Sequence, residues 1–230
     1  MRYSLLPSAR KTPHYGFLLA VLLVLFVVAP VLPAEWTGYG VELFFQLALI
    51  ASVYSVVWQT RHRLPFLSLA AVTVAARWSD MVLDHGGFSV VSIVLVILLL
   101  CYTVGLIVVE LFRMQEVDVN TILAAIVAYM LTAVAFASLF ELIELLQPGS
   151  FAGLPAQASQ QDIEHFLLYF SVVSLTTVGY GDVSPVSDIA RSTAALEGLF
   201  GTLYLAVMIA RLVSLHGAPS TADSEDKSSS

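Results

Sequence analysis

Charged residues are scarce in this 230-residue chain, where aspartate, glutamate, lysine and arginine together account for 12% of all positions. A soluble globular domain carries about twice that share. Hydrophobic residues account for 58% of the chain, and the mean hydropathy is +0.87. The composition therefore argues against a soluble protein. It predicts an integral membrane protein surrounded by lipid bilayer, with no nucleic acid as a partner.

Cysteine is nearly absent as well. Cys101 is the only one, so an intrachain disulfide and a metal site built from several thiolates are both excluded. Histidines are scattered without the spacing of a His/Glu metal site, and no nucleophile motif accompanies them. They are His14, His62, His85, His165 and His216. We therefore expect neither an enzyme nor an organic cofactor.

Long apolar runs dominate what is present. A helix needs about 20 apolar residues to cross about 30 Å of hydrocarbon, and six runs reach or approach that length. They cover residues 17–32, 41–58, 64–83, 88–112, 120–146 and 186–215. Asn120 is the expected N-cap of the fifth run. The predicted fold class is an all-α membrane protein with six transmembrane helices. A cleaved signal peptide is an alternative for the first run, although its length argues against one.

Lysine and arginine placement predicts which side of the membrane each loop occupies. With a cytoplasmic N-terminus, eight basic residues fall inside: Arg2, Arg10, Lys11, Arg61, Arg63, Arg113, Arg211 and Lys227. The opposite side receives Glu35, Asp84, Glu141, Glu144, Asp162, Glu164 and Asp182, with Arg77 and Arg191. Both termini are therefore expected in the cytoplasm. Compactness and short loops favour the inner membrane of a prokaryote.

A polar stretch with two glycines, SLTTVGYGDVSP, occupies residues 174–185 between the last two apolar runs. The glycines flank a tyrosine and break any helix. Residues 162–175 before them would form a helix of about 21 Å at 1.5 Å per residue, too short to cross the membrane. The chain should therefore enter as a short pore helix and return as extended backbone. At membrane depth such backbone must be buried in protein or line an aqueous path.

Carbonyl groups of this stretch suit a dehydrated K⁺ ion. Those of residues 177–180, with the Thr177 hydroxyl, can form stacked rings if several chains surround one axis. Gly179 and Gly181 permit the backbone angles that point successive carbonyls the same way. One chain supplies one such segment, so a ring requires oligomerisation. Fourfold symmetry would give about eight oxygens between two layers. Three further copies of the chain are the expected partners, and permeant K⁺ is the expected ion.

The heptapeptide TTVGYGD, residues 176–182, resembles the signature of the tetrameric potassium channel superfamily. The resemblance covers roughly residues 120–215. It implies that the selectivity filter consists of Thr177, Val178, Gly179, Tyr180 and Gly181, with K⁺ held at the first four. It also implies that Asp182, Tyr169 and Thr176 support the filter, Asp182 as its outer anchor and Tyr169 as a hydrogen-bond donor to that aspartate.

Five further positions in the last apolar run are candidate functional residues. Gly201 lies 22 residues after Gly179, where related channels carry a gating glycine, but a helix-packing glycine is an equal alternative. Near its face, Leu205, Ile209 and Leu212 can form a dewetting constriction or ordinary core packing. Glu197, an ionisable residue at membrane depth, is a functional candidate. We expect it to make a structural hydrogen bond behind the filter or to the fifth helix.

Six helices with the pore in the last two resemble the voltage-gated branch of this superfamily. Voltage sensing needs charge that moves through the field, worth about 2.3 kcal/mol per charge per 100 mV. Relatives carry regularly spaced arginines in the fourth helix, whereas residues 88–112 contain no lysine or arginine. Arg77 and Asp80, three residues apart in the third run, are interpreted as a buried structural pair rather than a sensor.

The expected domains are a cytoplasmic tail (1–16), a four-helix unit resembling a degenerate voltage sensor (17–112), a linker (113–119), a pore domain (120–215) and a disordered cytoplasmic tail (216–230). The predicted function is a homotetrameric, K⁺-selective channel that is not strongly voltage-gated. A non-conducting or modulatory subunit of another potassium channel is the alternative, against which the intact filter argues. A secondary transporter would show internal repeats, and none is visible.

The fourth apolar run carries no basic residue, so we expect K⁺ conductance to depend weakly on voltage. Conductance–voltage curves of the protein reconstituted in planar bilayers measure this. A steep curve that requires several charges to move would contradict the expectation.

Overall fold

The computed structural model describes residues 15–28, 67–76, 86–114, 117–155, 157 and 159–216. These residues are mostly helical. The helices are α1 (Tyr15–Val28), α2 (Leu67–Ala76), α3 (Gly86–Arg113), α4 (Val119–Leu146), α5 (Gln160–Leu175) and α6 (Asp188–His216). Two short strands, β1 (Phe151–Ala152) and β2 (Ser184–Pro185), pair antiparallel.

Three of these helices are long and apolar enough to cross a membrane. The qualifying segments are Val90–Arg113, Val119–Leu146 and Asp188–Ser214. α4 has 28 residues, which corresponds to about 42 Å at 1.5 Å per residue. The described parts of α1 and α2 are shorter apolar helices. The predicted second run (41–58), the ends of the first and third runs, the Arg77–Asp80 pair and most of both tails lie outside the described residues.

The start of α4 differs from the sequence-based expectation. Asp118, not Asn120, is the N-cap, because its carboxylate accepts the backbone N–H of Thr121 at 2.8 Å. The Thr121 hydroxyl lies 3.4 Å from the backbone N–H of Asp118 and completes a capping box. The Asn120 amide instead donates to Asp118 at 3.4 Å. The expectation was wrong by two residues because either side chain is a favourable cap in isolation.

The start of α5 is set by a second capping box. Ser159 is the N-cap, and its hydroxyl accepts the backbone N–H of Asp162 at 3.2 Å. The Asp162 carboxylate accepts the backbone N–H of Ser159 at 2.9 Å. The helix thus begins two residues before the predicted start and ends at Leu175, as predicted. Its 16 residues correspond to about 24 Å, less than the hydrocarbon thickness.

The central helix of the described bundle is α4, which contacts α1, α3, α5 and α6. Small buried residues such as Ala124 and Ala128 let its neighbours approach closely. A separate aromatic cluster lies at the end of α4 that leads into the loop. Phe140, Phe151 and Phe170 meet edge to face there, with ring centroids 5.1–5.4 Å apart. The cluster fixes β1 against α5, so the loop is packed beside that helix.

At its other end, α6 is joined to the C-terminus of α3 by Arg211. The guanidinium donates to three main-chain oxygens: Leu111 at 3.2 Å, Phe112 at 2.7 Å and Met114 at 2.9 Å. It also lies 5.0 Å from the centroid of the Phe112 ring. The last carbonyls of a helix have no partner within the helix and carry partial negative charge. Arg211 satisfies them and links two membrane-capable helices.

Replacing Arg211 by methionine keeps the apolar stem but removes the donors. Charge-assisted hydrogen bonds to otherwise unpaired carbonyls are lost, so we expect Arg211→Met to lower the free energy of unfolding by about 1–2 kcal/mol. Thermal unfolding in detergent measures the loss. Arg211→Lys keeps the positive charge but lacks the planar guanidinium. Its stability should lie between that of the wild type and that of Arg211→Met. Equal stability of all three proteins would contradict this role.

Candidate functional site

The segment after α5 is held by its backbone amides. Thr177 N–H donates to the carbonyl of Ser174 at 3.0 Å, and Val178 N–H donates to that of Val173 at 2.9 Å. Gly179 N–H reaches the same Val173 carbonyl at 3.4 Å. The backbone amides of residues 177–179 are thus all hydrogen-bonded to carbonyls of the last turn of α5. Within the described chain, no carbonyl oxygen of residues 177–180 accepts a hydrogen bond, so these oxygens are available to a ligand.

Backbone angles alternate along this segment. Thr177, Gly179 and Gly181 have positive φ values of 60°, 61° and 79°, and no positive φ occurs at Val178 or Tyr180. A left-handed residue at every second position turns successive peptide planes the same way. Gly179 and Gly181 adopt such angles readily, whereas Thr177 is β-branched and strained by about 1–3 kcal/mol. A strained residue of this kind persists where the surrounding structure enforces it.

Two tyrosines and an aspartate form the outer side of the segment. The Tyr169 hydroxyl donates to Asp182 at 2.8 Å, and the other carboxylate oxygen accepts the backbone N–H of Val183 at 3.0 Å. The hydrogen bond from Tyr169 is the main reason that the pKa of Asp182 lies below its usual value. The ring of Tyr180 stacks on Tyr169 with centroids 6.5 Å apart. Asp182 is therefore ionised at neutral pH and connects the end of the segment to α5.

The β1–β2 pair supports the same region from the loop. Phe151 pairs with Pro185 and Ala152 with Ser184. Gly153, with φ of 91°, lies so close to the Asp182 carbonyl oxygen that a Cβ atom there would overlap it. The segment 147–161, QPGSFAGLPAQASQQ, is rich in proline, glycine and glutamine, a composition typical of a loop. Its glycine and proline content indicated turns but gave no register for a two-residue strand pair.

Polar and small groups surround the C-terminus of α5. The Tyr129 hydroxyl of α4 donates to the Leu175 carbonyl at 2.9 Å. Gly201 of α6 faces the same carbonyl so closely that an added Cβ would overlap the oxygen. Sequence reasoning did not single out Tyr129, although a hydroxyl inside an apolar run was the available signal. Gly201 is thus a site of close helix approach.

The remaining candidate residues from the sequence lie at several separate places on α5 and α6. The Thr176 hydroxyl donates to Val172 of its own helix at 2.6 Å. Leu205 and Ile209 are exposed on α6, and Leu212 is half-buried. Glu197 is fully buried where α6 meets α5, and its carboxyl contacts the Ser171 hydroxyl.

Two glutamates near the loop organise the protein rather than facing solvent. Glu144 accepts the backbone N–H of Gly149 at 2.7 Å and that of Phe151 at 3.2 Å. Glu141 is buried and accepts from the Gln160 side chain at 3.3 Å. Glu144 thus orders the turn that follows α4, and Glu141 contacts the start of α5.

Comparison with known proteins adds to this geometry. Residues 157–216, which contain α5, the segment 177–181 and α6, match a family model described as an ion channel. The resemblance to the potassium channel superfamily is confirmed. The chain is 24% identical to the "Putative potassium channel protein" of Rhodopseudomonas palustris, over 90% of this chain and 55% of that protein. It thus spans about half the length of the curated relative it matches. The family model is described as an ion channel and the relative is named as a putative potassium channel, so both similarities are to channel proteins.

Tyr169→Phe removes the hydrogen bond that lowers the pKa of Asp182, so that pKa should rise toward its ordinary value. A lowered carboxyl pKa contributes stability that is present above its unfolded-state value and is lost as pH falls through the folded-state value. We therefore expect the variant to lose thermal stability at a higher pH than the wild type during acidification. Melting temperatures measured across the acid range test this.

Tyr129→Phe is the matched control for this experiment. It removes a tyrosine hydroxyl that bonds a neutral carbonyl, so it should lower the melting temperature without moving the acid transition. An unchanged acid transition in Tyr169→Phe would contradict the role of this hydrogen bond.

Proposed function

We propose that this chain is one subunit of a homotetrameric, K⁺-selective channel in which residues 177–181 form the selectivity filter. The decisive observation is the combination of alternating positive φ angles with amides bound to α5. Together they leave a row of carbonyl oxygens without protein partners in the described chain. Such oxygens can replace the hydration shell of K⁺. The ion-channel match over residues 157–216 supports the same assignment.

The exposure of the filter in a single chain supports a tetramer. Tyr180 is 71% exposed and Val178 is 53% exposed, although both carry apolar side chains. One face of α6 is also apolar and exposed, with Leu196, Leu199, Leu203, Leu205, Ile209 and Val213. Four copies around one axis would cover part of this surface and would bring four filter segments together. Each ion would then be surrounded by carbonyls of every copy.

The membrane arrangement belongs to the same proposal. We infer six spans, of which α4 and α6 flank a re-entrant α5 that is too short to cross. Both termini would lie in the cytoplasm, and the membrane would be a prokaryotic inner membrane. The chain would be divided into a tail (1–16), a four-helix unit (17–112), a linker (113–119), a pore domain (120–215) and a second tail (216–230). With no basic residue at positions 88–112, the four-helix unit would not sense voltage strongly.

The gate is proposed at the exposed face of α6. Leu205 and Ile209 lie on the side that α4 and α5 leave uncovered, and Leu212 is half-buried nearby. Four copies of these side chains would form a hydrophobic constriction. Gly201 packs directly on the end of α5, so we assign it to close packing beside the filter rather than to a free hinge.

K⁺ and Na⁺ flux from liposomes containing the purified protein tests the proposal. Wild-type protein should pass K⁺ and largely exclude Na⁺. Gly179→Ala should abolish K⁺ flux, because φ of 61° is strained for alanine although no atom lies within 4 Å of the added Cβ. The effect would thus arise from backbone conformation and not from a clash.

Gly105→Ala is the matched control. This α3 glycine also has no atom within 4 Å of an added Cβ, but its φ is ordinary for a helix. It should retain wild-type flux. Equal passage of K⁺ and Na⁺ would disprove selectivity, and full K⁺ flux through Gly179→Ala would disprove the filter assignment. Native mass spectrometry should give a tetramer, and a monomer would contradict the shared pore.

A further inference from the structure

Glu197 is a buried acid without a counter-charge. The Glu197 side chain is fully buried, at 0% exposure. No lysine or arginine of the described residues forms an ion pair with it. One oxygen, Oε1, contacts the Ser171 hydroxyl, while Oε2 has no hydrogen-bond partner among the described residues. A buried carboxylate that has no cation beside it and one oxygen without a hydrogen bond is strongly disfavoured.

The Ser171 hydroxyl lies against two oxygens at once. It is 2.7 Å from the carbonyl of Ala133 in α4, and it is also in hydrogen-bond contact with Oε1 of Glu197. Two short oxygen–oxygen contacts require two hydrogens, and a serine hydroxyl supplies one. A peptide carbonyl has none to give, so the second hydrogen must come from Glu197. Ser171 then donates to Ala133 and accepts from the carboxyl group.

Other groups near the carboxyl do not change this balance. The hydroxyl of Tyr129 in α4 donates to the Leu175 carbonyl at 2.9 Å, so its proton is not shared with Glu197. From α5, Ser171 is the hydrogen-bond partner of the carboxyl in the described structure. Burying Glu197 as a neutral carboxylic acid with one unused acceptor oxygen costs much less free energy than burying it as a carboxylate ion.

We propose that Glu197 is an uncharged carboxylic acid that donates its proton to Ser171, and that it is a positioning residue for the filter. The chain of hydrogen bonds runs from α6 through α5 to α4. Ser171 lies two residues before Val173, whose carbonyl holds the amides of Val178 and Gly179. Fixing Ser171 between two helices therefore fixes the anchor of the filter backbone. This positioning role rests on the proposed function, whereas the protonation state does not.

Infrared spectroscopy tests the protonation state directly. Wild type at neutral pH should show a carbonyl stretching band of a protonated carboxylic acid that is missing in Glu197→Gln. The subtraction removes any contribution of other acids, including the buried Glu141. The absence of such a band in the difference spectrum would overturn the proposal, whatever the flux experiments give.

Flux measurements test the positioning role. The amide of glutamine can donate to Ser171, so Glu197→Gln should keep K⁺ flux and K⁺/Na⁺ selectivity within about twofold of wild type. Glu197→Ala leaves Ser171 without a donor and should lower the K⁺/Na⁺ selectivity by roughly tenfold. If Gln behaves like Ala, the charge is required and the proposal fails.

A double-mutant cycle separates a local bond from general loss of packing. Ser171→Ala should impair selectivity in the wild type, and adding Glu197→Ala to it should have little further effect. Fully additive effects would show that the two residues act separately and would overturn the positioning role. Absence of K⁺ flux in the wild type itself would refute the proposed channel function, while the infrared band would still decide the state of Glu197.

Discussion

The bonding of the amides of residues 177–179 to the last turn of α5 is the constraint on which the rest of this structure depends. A peptide group has one donor and one acceptor, and each must find a partner when it is removed from water. Here the donors are satisfied by Ser174 and Val173. The carbonyl oxygens of residues 177–180 accept no hydrogen bond within the described chain, and positive φ recurs at Thr177, Gly179 and Gly181 along the same segment.

Such a segment is stable only if α5 keeps its position, and contacts with the surrounding residues hold α5 in place. Tyr129 and Gly201 converge on the Leu175 carbonyl from two helices. At the outer end, Tyr169 connects Asp182 back to α5. The bonds made by Tyr129 and Tyr169 are short and directional, and the close approach of Gly201 leaves no room for α5 to move toward α6. They therefore specify one position of α5, which apolar packing alone does less sharply.

Much of this could be predicted from the sequence because its signals are local. The apolar runs at 88–112 and 186–215 correspond to Gly86–Arg113 and Asp188–His216, within two residues at each end. The glycines of TVGYG gave the end of α5 at Leu175. What was missed depends on contacts between distant positions. Pairing of β1 with β2 and the Tyr129 contact join residues 30 or more apart, and no local pattern reports them.

The amino-acid sequence by itself determined the long apolar segments and the glycine-interrupted stretch at residues 174–185, because hydropathy and glycine placement act within a few neighbouring residues. The tertiary structure alone decided that Gly201 is a contact glycine and that Ser171 stands between Ala133 and Glu197. Those roles arise where three helices meet at distances of a few ångströms. Which atoms form a hydrogen bond depends on which of them are close in space, and sequence order does not specify that.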